Sequence, residues 1–190
     1  MFRRRNKQKN MERAAEYANC KDFQQIFTED MAGLHRLAFL LTADHAKAEQ
    51  CFVAGLEDSI HGNPVFRQWA RAWSKRAIIR SAIKAIAPAP VRYGAIPETA
   101  EIHWQNRDVE SIAAIVASWE PFERFVFVMA VLEGYGLREC AALLACPVQD
   151  VITAKSFALQ RLAGQSATEV LSPDSGYVHR NPGFARAQVA

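Results

Sequence analysis

The chain has 190 residues, half of them hydrophobic and 23% charged, which is material for a packed core and excludes wholesale disorder. Its formal net charge of +3 is too small to single out a partner. The longest uninterrupted apolar run, Phe125 to Leu132, falls far short of the ~20 residues that a membrane-spanning helix needs.

The charge is unevenly placed. Residues 1–22 carry seven basic and three acidic side chains, and residues 61–92 carry seven basic and no acidic ones. Residues 23–60 carry two basic against six acidic, and 93–122 one against five. Basic blocks of this kind mark polyanion-binding surfaces, and solvated helix faces also produce them.

The start, Met1 to Asn10, is basic with no apolar stretch after it and does not read as a secretory signal. Arg3, Arg4, Arg5, Lys7 and Lys9 make residues 1–22 a basic arm, either phosphate-contacting or a solvated tail. Cys20, Cys51, Cys140 and Cys146 show no CxxC or Cys/His ligand spacing, so reduced thiols in a cytoplasm are expected. Asp22 is the expected N-cap of a first helix, with Phe23, Ile26, Phe27, Met31, Leu34, Leu37, Ala38 and Leu41 on its buried stripe. Thr42 and Asp44 mark a break and a new cap. A second helix over 46–60 then buries Cys51 or Phe52, with Leu56 and Ile60. His61-Gly62-Asn63-Pro64 is a turn, with Pro64 opening the next helix.

That third helix, 65–86, holds the internal basic block. Phe66, Trp69, Ala70 and Trp73 form its first apolar stripe; Ile79, Ile83 and Ile86 form a second, rotated one. The rotation predicts a bend near Ser74–Lys75 or a helix clasped on different sides at its two ends. Arg67, Arg71 and Lys75 follow at i, i+4 and i+8, and Arg76, Arg80 and Lys84 make a parallel row. No acid within the segment balances them, which suits a surface tracking a nucleic-acid backbone. Trp69 and Trp73 are expected as core anchors more than as base-stacking platforms. Pro88, Pro90 and Pro97 make 87–108 a linker and domain boundary. Helices are then expected over 109–118 (Ile112, Ile115 and Val116 inward), from Glu120-Pro121 to Leu132 and ended by Gly134 and Gly136, over 137–145, and over 148–162. Residues 165–190 read as a loose tail.

The last two helices have helix–turn–helix spacing. The run from Pro121 through Arg124, Leu132, Glu133-Gly134, Glu139-Cys140-Ala141, Val151 and Ala158 to Leu162 resembles the C-terminal domain of bacterial extracytoplasmic-function sigma factors. Phe23–Leu41, Leu40-Leu41-Thr42, Ala48-Glu49 and Phe66–Ile86 resemble the N-terminal domain of the same family. The likeness spans residues 23–164. It implies an all-α chain of two small helical domains, 23–86 and 109–164, the second a helix–turn–helix. It also implies a transcription regulator that directs RNA polymerase core to promoter DNA, with an anti-sigma protein as a further possible partner. By resemblance, Glu49, Gln50, Val53 and Glu57 lie on the polymerase-binding helix. Arg67, Arg71, Lys75, Arg76, Arg80 and Lys84 would face the −10 element, and Gln149, Thr153, Ser156 and Gln160 the −35 element.

The chain departs from the family where partners are met. Gln50, Val53 and Ala54 replace an Asp and a Gln-Glu pair on the polymerase helix. Ile152 and Ala154 stand where Lys and Arg are usual on the recognition helix, and Lys155 points toward the apolar stripe. The expected exposed face is Gln149, Asp150, Thr153, Ser156, Phe157 and Gln160, able to bond base edges but poor in phosphate-neutralising charge. These losses motivate two other readings: a sigma-fold protein–protein module that no longer recognises promoters, or a polymerase-independent helix–turn–helix regulator. His35, His45, His61, His103 and His179 have no ligand spacing, and no phosphate loop, GxSxG or HExxH occurs. No enzyme, metal, cofactor, membrane or small-molecule substrate is expected.

Overall fold

The computed structural model describes the backbone of residues 16–90 and 109–170, and the side chains of 16–90 and 113–163. Most of the N-terminal arm, the linker beyond Pro90 and the tail beyond Val170 lie outside the described residues. The chain is all-α. Its one β contact among the described residues is an isolated bridge between Tyr17 and Phe66.

Helix α1 spans Cys20–Glu29 and α2 spans Met31–Thr42, where the sequence suggests one helix. The cap of α1 is Asn19, three residues before the expected Asp22. Its Oδ1 accepts from the Lys21 amide at 2.8 Å and the Asp22 amide at 3.2 Å, while Asp22 Oδ2 accepts from the Asn19 amide at 2.8 Å. Asp22 is therefore the returning arm of a capping box. The break at Asp30 swings Met31 out to 60% exposure, whereas Phe23, Phe27, Leu34, Leu37, Ala38 and Leu41 are buried. Gly33 leaves room for the Asp30 carboxylate, which occupies the space a Cβ would take.

Ala43, in the left-handed region at φ 54°, ends α2. Asp44 caps α3, His45–His61, by accepting from the Lys47 amide at 3.0 Å. Helix α4, Ala70–Ile86, is unbroken and begins five residues later than the sequence suggests, after an extended Phe66 and a 3₁₀ turn, Arg67–Trp69. That turn breaks the phase of the first apolar stripe. Trp69 is consequently 56% exposed, and Phe66 and Trp73 are half-buried. The two ends of α4 are clasped on different sides, Ala70 and Trp73 by a small cluster with Phe23 and Val65, and Ile78, Ile79 and Ala82 by the main core, with Ile83 and Ile86 packed against it. The buried residues of α4 are Ala70, Ser74, Ala77, Ile78, Ile79 and Ala82, at i, i+4, i+7, i+8, i+9 and i+12, four of the six small.

Small residues on both partners explain why α3 and α4 pack so closely. α3 buries Ala48, Cys51, Gly55 and Ser59, so Cys51, not Phe52, is its inward residue. A Cβ on Gly55 would meet Ile78 Cγ1 at 2.6 Å and the Ile78 Cα at 3.2 Å. The Ser59 and Ser74 hydroxyls donate to the carbonyls of Gly55 and Ala70 at 2.7 and 2.9 Å, so their burial leaves no orphan donor.

In the second half, α5 spans Val109–Ala117 and α6 spans Pro121–Phe127, with Pro121 in its first turn. Val116 is buried and Ile115 half-buried; the expectation for Ile112 falls outside the described side chains. α6 runs into a π-helical turn, Val128–Leu132, where the Glu133 amide donates five residues back to Val128 at 2.9 Å. Gly134, at φ 71°, lets the chain leave it. Then come α7, Leu137–Leu144, and α8, Val148–Val170, at 110° to each other. Ala145, at φ 51°, makes the turn between them.

Buried residues of both halves join one cluster, among them Leu34, Leu41 and Ile78 with Phe125, Met129, Val151 and Leu162. Arg124 links the halves chemically. It is 5% exposed. Its Nε donates to the Leu41 carbonyl at 3.1 Å and Nη2 to Thr42 at 3.4 Å. Its Nη1 donates to Trp119 at 3.1 Å and Ala117 at 3.2 Å.

Two outcomes follow for stability, each read from chemical unfolding. Gly55→Val overpacks the α3–α4 contact and lowers unfolding free energy by about 2 kcal/mol. Arg124→Met, which keeps the aliphatic stem, leaves buried carbonyls unmet and costs about 3 kcal/mol or more, and Arg124→Lys recovers only part of it.

Candidate interaction surfaces

The basic block changes character once folded. Arg67 Nη2 lies 3.2 Å from Asp22 Oδ2. Arg71 lies 3.4 Å from Glu29 and 3.2 Å from Asp30. Lys75 Nζ lies 2.7 Å from Glu133 Oε2. Arg76 pairs with Glu139. Arg80 lies 3.9 Å from Asp58, with its guanidinium 5.9 Å from the centre of the Trp73 ring. Of the six, Lys84 has no carboxylate within ion-pair distance among the described residues. The expectation of an unbalanced basic surface is therefore corrected. The balancing acids come from α1, α3 and the second half of the chain, too remote in sequence to be read from the segment itself.

Lys75, Arg76 and Arg80 line a cleft of about 890 Å³ together with Trp69, Trp73 and, from the other half, Glu133, Tyr135 and Glu139. Burial pushes the Tyr135 phenol up to about 12; Arg76 opposes this, and Glu139 and Glu133 add to it. Trp73 Nε1 is buried without a hydrogen-bond partner among the described residues. At the rim of the cleft, Phe66 and Trp69 continue into an aromatic ladder with Tyr17, ring centres 4.7 Å (Tyr17–Phe66) and 5.3 Å (Phe66–Trp69) apart.

The second surface is on α3. Glu49, Gln50, Val53 and Glu57 are all exposed, Val53 by 49%. With Ala46 and Ala54 they line a shallow groove of about 460 Å³. Among the described residues neither Glu49 nor Glu57 is ion-paired. Three of the four, at i, i+4 and i+8, share one side of the helix.

On α8 the faces fall otherwise than expected. Gln149 is exposed; Asp150, Thr153, Lys155, Ser156, Phe157 and Gln160 are half-buried, and Ala154 is buried. The Thr153 and Ser156 hydroxyls donate to the carbonyls of Gln149 and Ile152, at 2.9 and 3.1 Å. Their protons are thus spent within the helix, and the oxygens are left as acceptors. Val148 and Ile152 add 36% and 37% exposed apolar side chains to the start of the helix.

Three carboxylates, Glu123, Glu133 and Glu139, have folded surroundings that the sequence does not disclose. Glu133 and Glu139 stand within the sigma-like pattern, but only folding sets them against Lys75 and Arg76. Glu123, 1% exposed, lies 3.3 Å from Arg161, and its Oε1 has no partner among the described residues. Burial raises its carboxyl above the ordinary value, and the half-exposed Arg161 offsets only part of that.

No protein-family model matches the chain, and no curated protein matches it. Among solved structures, the chain is similar to the sigma factor RpoE from Bartonella quintana, crystallised in complex with the anti-sigma factor NepR. The two are 19% identical with a TM-score of 0.45, over 79% of this chain and 98% of that one. No single helix among the described residues is long and apolar enough to cross a membrane, and no group of three metal-ligating side chains occurs among them.

Glu123 fixes a pH dependence. Its folded-state value lies above the ordinary 4.5, so the native state holds the proton more tightly than the unfolded state. Its stabilising contribution is complete below the unfolded-state value and is lost as pH rises through the folded one. In urea titrations at a series of pH values, wild type loses stability from pH 4.5 upward relative to Glu123→Gln. Parallel curves for the two proteins would show that Glu123 does not titrate abnormally.

Proposed function

We propose that the protein is a sigma-like transcription regulator that binds RNA polymerase core and brings it to promoter DNA. The observation that carries this reading is the open face of α3. Two acids and a half-exposed valine stand there unpaired, above a shallow groove, at the positions where the sigma-like pattern places the polymerase contact. Two further features support it. α7 and α8 cross at 110°, inside the ~90–120° range of helix–turn–helix units. Pro121, Arg124 and Gly134, which carry the sigma-like pattern, each have a structural role: Pro121 opens a helix, Arg124 joins the halves and Gly134 lets the chain leave a π turn.

On this reading the protein comprises a polymerase- and −10-facing half, 23–86, and a −35-facing half, 109–164, divided at 87–108. It is a cytoplasmic protein without catalytic activity. Lys84 and the displaceable Arg67, Arg71, Lys75, Arg76 and Arg80 supply the −10 contacts. Gln149, Gln160 and the oxygens of Thr153 and Ser156 supply the −35 contacts. An anti-sigma protein is a further partner.

A second reading has its own observation. Five of the six basic side chains of the 3₁₀ turn and α4 are already ion-paired, and two hydroxyls of α8 are turned into their own helix. This favours an interaction module that retains the polymerase- or protein-docking face and has lost promoter recognition.

The deciding experiment is affinity purification with core polymerase, followed by mobility shift with and without it at moderate salt. The leading reading expects a stable polymerase complex that shifts promoter DNA. It also expects Val53→Asp with Glu57→Lys to weaken the polymerase complex by about tenfold. Polymerase binding without any DNA shift selects the module. Failure of both overturns the sigma reading.

A further inference from the structure

The carboxylates that meet the basic helix come from two sources. Asp22, Glu29, Asp30 and Asp58 belong to the same half as α4, whereas Glu133 and Glu139 lie 58 and 63 residues further along the chain from Lys75 and Arg76. Both far-half acids stand on the wall of the 890 Å³ cleft. Their side chains are 17% and 43% exposed, and those of Lys75 and Arg76 are 37% and 35% exposed. Water and ions therefore reach both pairs. The more exposed pair, Arg76–Glu139, holds little net stability and is screened by salt; Lys75–Glu133 is more sheltered and screened less.

A carboxylate and a phosphodiester accept from an ammonium or guanidinium in the same way. Whichever is present in the cleft satisfies the same donors. We propose that Glu133 and Glu139 are an internal competitor for DNA phosphates at Lys75 and Arg76, so that the cleft admits DNA only when these carboxylates are displaced. The inference rests on the reading that α4 faces promoter DNA, and it adds a means of regulation to that surface. Displacement does not require the halves to part. Arg124 and the shared core join them, and rotation of the glutamates, Glu139 at 43% and Glu133 at 17% exposure, is the movement needed. Asp58 acts differently. It is 3.9 Å from Arg80, which also leans on Trp73, so that cation is positioned more than neutralised. A competitor of this kind suppresses indiscriminate DNA binding, because a partner must supply enough additional contact to release both glutamates.

The test is the affinity of full-length protein for a short random-sequence DNA duplex across a salt series. Glu133→Gln with Glu139→Gln should bind about tenfold more tightly than wild type at low salt. Its log affinity–log salt slope should be steeper by about 2, as two freed cations each displace roughly 0.9 counterion. Glu139→Gln alone, at the more exposed position, should give about threefold and serves if the double variant does not fold. In the double variant, adding Lys75→Ala and Arg76→Ala should abolish the gain. Equal affinities for wild type and the glutamine variants overturn the competitor but leave α4 as a DNA surface. A gain that survives loss of Lys75 and Arg76 also overturns it, as an effect of net charge alone. No binding by any form at low salt overturns both the competitor and the DNA reading of α4.

Discussion

The arrangement of this molecule depends on one guanidinium. Arg124 sits where three backbone segments finish or begin: the end of α2, the end of α5 and the turn before α6. Helix C-termini leave carbonyls without intrahelical partners, and their partial negative charge favours a cation. The α2 end has no basic residue in its last turn; Arg124 supplies the missing cation from the other half of the chain. A planar, multi-donor group is suited to several carbonyls at once in a way that a lysine is not. Burial lowers its proton affinity, and Glu120 opposes that.

Once α2 and α6 are joined in this way, the remaining contacts are constrained. The run from Phe122 to Met129 is buried on every side, because the first half covers what the second half alone would expose. The π turn that follows sets the direction of Glu133, and the α7 start sets Glu139. The cleft against α4 is thus built by elements whose placement begins with Arg124. The two ion pairs across it are consequences of that docking, not its cause.

Much of this is legible in the sequence, and the exceptions have physical causes. The α3 cap at Asp44, the end at Gly134 and the short α7–turn–α8 order follow from local chemistry that needs no tertiary information. The rotated stripe in 65–86 is a true signal: Ala70 and Trp73 pack in a small cluster around Phe23 and Val65, while Ile79, Ile83 and Ile86 pack in or against the main core. What the pattern misplaces is Trp69, left 56% exposed by the 3₁₀ turn just before the helix, whereas Trp73 lies within α4 and is half-buried. Asp22 stands out as a cap more than Asn19 does, although a capping box contains both. The candidate surfaces are legible as residues and not as electrostatics. Arg67 to Arg80 read as unbalanced because Glu133 and Glu139 are visible in sequence only as parts of a pattern, with nothing to say which cations they meet. The break at Asp30 is of the same type: the aspartate that interrupts the first helix is also one that pairs with Arg71.

The cations of the folded chain therefore divide by what they bind and how wet they are. Arg124 is 5% exposed and bonded to main-chain carbonyls, which are fixed by the backbone and cannot rotate away as a side chain can. Lys75 and Arg76 are partly solvated and bonded to side-chain carboxylates, which can rotate away. The energetic asymmetry is large: an unmet buried carbonyl costs on the order of 1–3 kcal/mol, whereas a released glutamate that already reaches solvent, as Glu139 does at 43% exposure, is rehydrated at little cost. A surface meant only to stabilise the fold gains little from the second kind of pair. A surface that must be neutral when unoccupied and cationic when occupied requires it. That contrast, more than the number of basic residues, is the physical argument for treating the cleft as a place where another anion exchanges with the chain's own.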